Sequence, residues 1–181
     1  MLKKHTQVGV DFEEAHHLMT SLDYHLALEE LRHAVSYLKG TGSPAVGIVG
    51  GCMGGALSFA AAQHVPGLAS AAPLYGTPAR EMPWIDCTQI RIPLQYHTGQ
   101  ADPIRGFSDA ASGVALERAM RAAGCDVELF LYPDTPHSFL NAMTPEGVEF
   151  LARWGYGVPP PEQVELCLSR LLAFFGRHLK A

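Results

Sequence analysis

The sequence predicts one α/β domain over residues 1–181, a mostly parallel sheet with helices on both faces. Three observations point there. At 181 residues the chain has the length of a single domain. With 48% hydrophobic and 17% charged residues it can bury a sizeable core, which argues against intrinsic disorder. Segments with helical periodicity alternate with short apolar runs, the pattern of strands joined by helical crossovers.

Residues 11–39 read as helix, with a break near Thr20 and Ser21. Leu22, Leu26, Leu28, Leu31, Val35 and Leu38 recur at helical spacing, with Glu29, Glu30 and Arg32 on the other face. Gly40–Pro44 supplies stop and turn chemistry. Ala45–Gly50 predicts a strand and Met53–His64 an alanine-rich helix. Together Ala45–Ala62 form 18 uncharged residues, the length of a membrane helix, with small residues four apart at Gly47, Gly51 and Gly55. Five of the 18 are glycine, however, and each costs about 1 kcal/mol in a helix. A buried strand, a tight turn and a buried helix fit better. Leu68–Tyr75 and Pro93–Thr98 are further strands, and Phe107–Ala123 is an amphipathic helix closed by Gly124. Asp126–Tyr132 alternates as a strand should. Gly155–Pro161 reads as a loop before a last helix, Pro161–Leu179, whose apolar face carries Val164, Leu168, Leu171, Leu172 and Phe175.

Charge excludes some partners. Thirteen basic against 18 acidic side chains leave −5, and the largest basic cluster is Lys3-Lys4. Neither nucleic acid nor an anionic membrane surface is expected. The cysteines at 52, 87, 125 and 167 have no C-x-x-C spacing and no disulfide framework, so no zinc or redox motif is expected. Met1–Asp11 has no apolar core of a signal peptide, and reduced thiols in the cytoplasm are the expectation.

The chemistry concentrates at Gly50-Gly51-Cys52-Met53-Gly54-Gly55, between a strand and a helix. A nucleophile elbow needs small residues two before and two after its nucleophile, because a Cβ there would clash. Gly50 and Gly54 meet that need, with Cys52 at the apex. The turn would set the sulfur at a helix N-terminus and aim the Met53 N–H at a developing oxyanion. A dinucleotide fingerprint fails, since its middle glycine is replaced by Cys52 or Met53 in the two nearest frames. A Walker loop lacks its Gly-Lys-Ser/Thr. An elbow calls for an acid and then a histidine downstream. Asp102 follows the strand ending at Thr98, and His137 follows the strand ending at Tyr132; both fall in loops at strand ends.

G-x-C-x-G-G, then G-x-x-D, then Y-x-x-x-x-H-S-F resembles the dienelactone hydrolase family of α/β-hydrolases, from about Leu22 to the C-terminal helix. The resemblance implies Cys52 as nucleophile, His137 as base and Asp102 as the residue that orients it. It also implies hydrolysis of a lactone ring, as in carboxymethylenebutenolidase chemistry, with no metal or organic cofactor. Two departures stand out. In the family several strand–helix units precede the elbow, whereas only residues 1–51 precede Cys52 here and most read as helix. The expectation is therefore an α/β-hydrolase-type sheet truncated at its N-terminal side, with an exposed edge prone to self-association. Second, the family arginine that follows H-S-F and holds a substrate carboxylate is replaced by Asn141, which makes a neutral small lactone or ester the better substrate; Arg105, near Asp102, is the candidate to compensate.

The expected function is a cysteine hydrolase working through a Cys52-Asp102-His137 triad and a thioester. The alternative is an inactive or truncated α/β-hydrolase-like protein with a binding or assembly role. A serine esterase fails, because Ser58 lies inside a helix and Ser138 in the histidine loop. Cys87, Cys125 and Cys167 read as small buried or half-buried thiols, Trp84 and Trp154 as packing residues, and His97 as a packed histidine within a strand. The adjacent His16 and His17 point apart and make a poor metal site.

Overall fold

The computed structural model describes residues 12–78 and 82–180, so Lys3, Lys4 and the rest of the first eleven residues lie outside the description. Helices α1 (Phe12–Thr20) and α2 (Tyr24–Gly40) come first. They are separate because Asp23 turns extended and its carboxylate accepts the N–H groups of His25 and Leu26, each at 3.0 Å, capping α2 afresh. Then follow β1 (Val46–Gly51), α3 (Met53–His64), β2 (Leu68–Leu74), β3 (Leu94–Gly99), α4 (Ala110–Ala122), β4 (Val127–Tyr132), α5 (Pro145–Arg153) and α6 (Pro161–His178).

The strands lie in the order β1-β2-β3-β4 and every pair is parallel. Each falls within a residue or two of its expected bounds. Two helices differ more. α4 starts later than Phe107, because Asp109 is its cap and accepts the Ser112 N–H. That leaves Phe107 and Ser108 in the preceding loop. α5 is not anticipated by the periodicity; Pro145 opens it and the Thr144 hydroxyl accepts from the Gly147 N–H at 3.1 Å.

Period-two alternation sorts the strand side chains between two layers. On one face Ala71, Leu94, Tyr96 and Val127 pack with Phe59 of α3 and Met120 of α4. On the other, Ala72, Leu74 and Tyr132 pack with Val164, Cys167, Leu171 and Phe174 of α6. α2 covers α3 and the start of β1 through Leu28 and Val35. The outcome is a parallel sheet with helices on both faces. β2 and β3 are almost wholly buried, while β1 is an edge strand whose Val49 is 52% exposed. Among the described residues no helix is long and apolar enough to cross a membrane.

Such a sheet gathers the loops that follow its strands at one end. The described non-glycine residues with positive φ all sit there: Cys52 after β1, Tyr75 after β2, and Asp134 and Ser138 after β4.

Candidate active site

β1 delivers the chain to Cys52, which takes φ 56° and ψ −121°, and α3 begins at the next residue. The Cys52 N–H donates to the Leu74 carbonyl at 3.0 Å, tying the apex to β2. Its own carbonyl accepts from Gly55 and Ala56, the first bonds of α3. The Met53 N–H belongs to the first turn of α3, where helix geometry leaves amides without intrahelical partners.

The glycines divide unevenly. A Cβ at Gly50 would strike the Gly54 carbonyl, one at Gly55 the Leu74 carbonyl, and one at Gly76 the Cys52 carbonyl. At Gly54 a Cβ would meet nothing within 4 Å. The expectation for Gly54 is therefore corrected: its backbone, not the space around its Cα, is what crowds the turn. The small residues that matter are Gly50, Gly55 and Gly76.

Asp102 stands three residues beyond β3 and His137 five beyond β4. Their side chains meet in the interior, with His137 Nδ1 2.7 Å from Asp102 Oδ2. The other oxygen, Oδ1, accepts from the Ile104 N–H at 3.0 Å and the Ser108 hydroxyl at 2.8 Å. Burial pulls the His137 imidazole down, but hydrogen bonds to Asp102 and Cys52, and the charges of both, outweigh it and hold it at about 9. Nδ1 is committed to Asp102, so Nε2 is the nitrogen left for the half-buried Cys52 thiol. The sequence-predicted residues Cys52, Asp102 and His137 thus converge from three loops.

Aromatic rings surround the imidazole. Tyr75, buried at the end of β2, meets it edge to face with centroids 5.3 Å apart. The half-buried Tyr156, on the loop before α6, lies 5.5 Å away, and Phe107 lies 6.3 Å away. Burial, and then the charge of Cys167 and Cys52, push the Tyr75 phenol far above its usual range, so it stays neutral. Burial also raises Tyr156, with Asp102 and Cys52 adding to it. Sequence reasoning missed Tyr75, Ser108 and Tyr156, since each becomes a neighbour only through the fold; a Tyr-Gly pair closing a strand was the one local signal available.

Asn141 is exposed on the short 3-10 helix Phe139–Met143, and Arg105 is exposed three residues after Asp102. All four cysteines are free; Cys87, Cys125 and Cys167 are buried, and burial pushes Cys87 up to about 12 and Cys167 up to about 11. His97 is packed in β3, with Nδ1 2.7 Å from the Tyr132 hydroxyl and Nε2 3.0 Å from Gln95 Oε1.

A solved structure of a putative dienelactone hydrolase from Klebsiella pneumoniae superposes with a TM-score of 0.68 at 23% identity, covering 87% of this chain and 63% of that one. An esterase from Pyrococcus furiosus gives 0.58 at 18% identity, covering 84% and 62%. Protein usf of Aquifex pyrophilus is 30% identical over 112 residues, which is 60% of this chain and 46% of the relative. The chain therefore spans less than two thirds of these relatives, with the α/β-hydrolase-type fold in common with the solved ones. The model of the dienelactone hydrolase family matches residues 4–179, nearly the whole length, and the chain belongs to that family.

Proposed function

We propose that this chain is a carboxylic ester hydrolase with a cysteine nucleophile, acting on a small neutral lactone or ester. The observation that carries the reading is the buried Asp102–His137 pair turned toward Cys52 at a left-handed elbow. The Cys52 thiolate attacks the carbonyl carbon, and the Met53 N–H supports the oxyanion as the C=O π electrons move to oxygen. The tetrahedral adduct collapses to a thioester as the C–O bond breaks, and His137 hands its Nε2 proton to the leaving oxygen. Water, deprotonated by His137, then attacks the thioester carbonyl, and the C–S bond breaks to release the acid and restore the thiolate–imidazolium pair. Asp102 keeps the Nδ1–H tautomer and balances the imidazolium.

Nothing in this scheme calls for a metal or organic cofactor. Residues 1–181 are read as one domain, and four free thiols fit a reducing cytoplasm. The open edge of β1 with its exposed Val49 supports self-association through that strand.

One observation favours a second reading, a binding or assembly role without turnover. Among the described residues the elbow supplies one oxyanion N–H, that of Met53, and losing one donor typically lowers the rate by about 10²–10³. Hydrolysis of dienelactone and of p-nitrophenyl acetate, measured beside Cys52→Ala, separates the two. Turnover that disappears in the variant is expected. A folded wild-type chain that leaves both substrates intact would give the second reading the lead.

A further inference from the structure

Ser108 lies outside every motif that marks the site, yet it touches two members of it. It sits in the loop before α4, fully buried, six residues beyond Asp102. Its backbone is fixed at both ends, with the N–H donating to the Ile104 carbonyl at 3.0 Å and the carbonyl accepting from the Thr98 hydroxyl of β3. Its hydroxyl donates to Asp102 Oδ1 at 2.8 Å, and the same oxygen lies 3.2 Å from His137 Nδ1. A hydroxyl has one proton and two lone pairs. With the proton given to Asp102, a lone pair faces Nδ1–H, which is thereby shared between Asp102 Oδ2 and Ser108 Oγ.

We propose that Ser108 is a positioning residue: it fixes the plane of the Asp102 carboxylate and gives the His137 imidazolium a second acceptor. The inference rests on the reading of Cys52 and His137 as a working pair. Two donors on Oδ1, from Ile104 and Ser108, stop the carboxylate from rotating and present Oδ2 to the imidazole. The Ser108 lone pair gains most when Nδ1–H belongs to a cation, so it favours the thiolate–imidazolium form over the neutral thiol and imidazole. The other titratable groups facing His137 are Asp102, Cys52, Tyr75 and Tyr156.

Alkylation of Cys52 by iodoacetate, followed against pH with the adduct located by mass spectrometry, tests this without any substrate. Iodoacetate is an anion drawn by the imidazolium, so its alkaline limb reports loss of the His137 proton. In Ser108→Ala the limb is expected to move down by about one pH unit, with a roughly tenfold slower reaction on its alkaline side and little change at neutral pH, the usual size for a hydrogen bond to a charged group. Ser108→Thr, which keeps the hydroxyl, is expected to restore the wild-type profile. In an Asp102→Asn background the alanine change is expected to have a smaller effect, because the share carried through that carboxylate is gone and only the direct contact with Nδ1 is left. A folded Ser108→Ala protein whose limb does not move overturns the proposal, and so does an effect that simply adds to that of Asp102→Asn. If ester turnover survives in Cys52→Ala, the nucleophile reading fails instead, while the alkylation profile still judges Ser108.

Discussion

Two histidines of this chain are buried to nearly the same degree and end in opposite charge states. His97 lies within β3, and His137 in the loop beyond β4. Removal from water disfavours the imidazolium in both. The partners of His97 are the Gln95 amide, the Tyr132 hydroxyl and the Cys167 thiol, all neutral, and burial, with the Arg170 charge adding to it, pushes it down to about 3. His137 has a carboxylate on one nitrogen and a thiol toward the other, and it is pushed up to about 9 despite its burial. An ionised partner, not depth, decides whether a buried imidazole carries a proton. The same fold therefore holds one histidine neutral and the other with its proton.

Asp102→Asn strikes this contrast hardest. The amide leaves His137 with neutral neighbours on that side, so its raised proton affinity and its tautomer control are lost. Turnover of p-nitrophenyl acetate is expected to fall roughly 10³–10⁴-fold, with the protein still folded by circular dichroism.

The pH dependence of stability sharpens the comparison, because the two histidines slope in opposite directions. His137 is raised above the ordinary 6.5, so its contribution is complete below about 6.5 and is lost as pH rises through about 9. His97 is depressed, so the unfolded chain takes the proton first, and stability is lost as pH falls from 6.5 toward about 3. Melting temperatures across pH 4 to 10 are expected to show both slopes, with Asp102→Asn flattening the alkaline one. Activity follows the first slope, with kcat/KM declining above about pH 9 as the imidazolium is lost.

The smallest effect on catalysis is expected from His97→Leu. It leaves the Tyr132 hydroxyl and the Gln95 carbonyl without that partner, a loss of about 1–3 kcal/mol for each group left unsatisfied. Calorimetry should show the lower melting temperature and the missing acid slope, while turnover at 25 °C stays within about twofold of wild type. A large loss of turnover would mean that His97 supports the site as well as the sheet.

Much of this was legible from local pattern. Gly50, Cys52 and the strand-then-helix context marked the elbow, because a tight turn admits few side chains. Asp102 and His137 were readable from their order and their place beyond strand ends. Gly54 was misjudged, since spacing alone cannot tell whether a residue crowds through its Cβ or its carbonyl. Gly55 and Gly76 meet Leu74 and Cys52 across the sheet, contacts set by strand pairing rather than by neighbours in sequence. Ser108 was absorbed into an amphipathic helix by its periodicity, and the Asp109 cap overrode that. α5 hid behind Pro145 and Gly147, residues that read as breakers until Thr144 is seen to cap them.

The left-handed non-glycine residues at the strand ends, Cys52, Tyr75, Asp134 and Ser138, bear on any effort to retune this protein by directed evolution. A β-branched residue in that backbone region is strained, so the alphabet tolerated at those four positions is short. A library that varies those four positions freely includes β-branched members that strain the backbone. Tyr156, half-buried beside His137 on backbone outside that region, is where diversity can be sampled with the scaffold left intact.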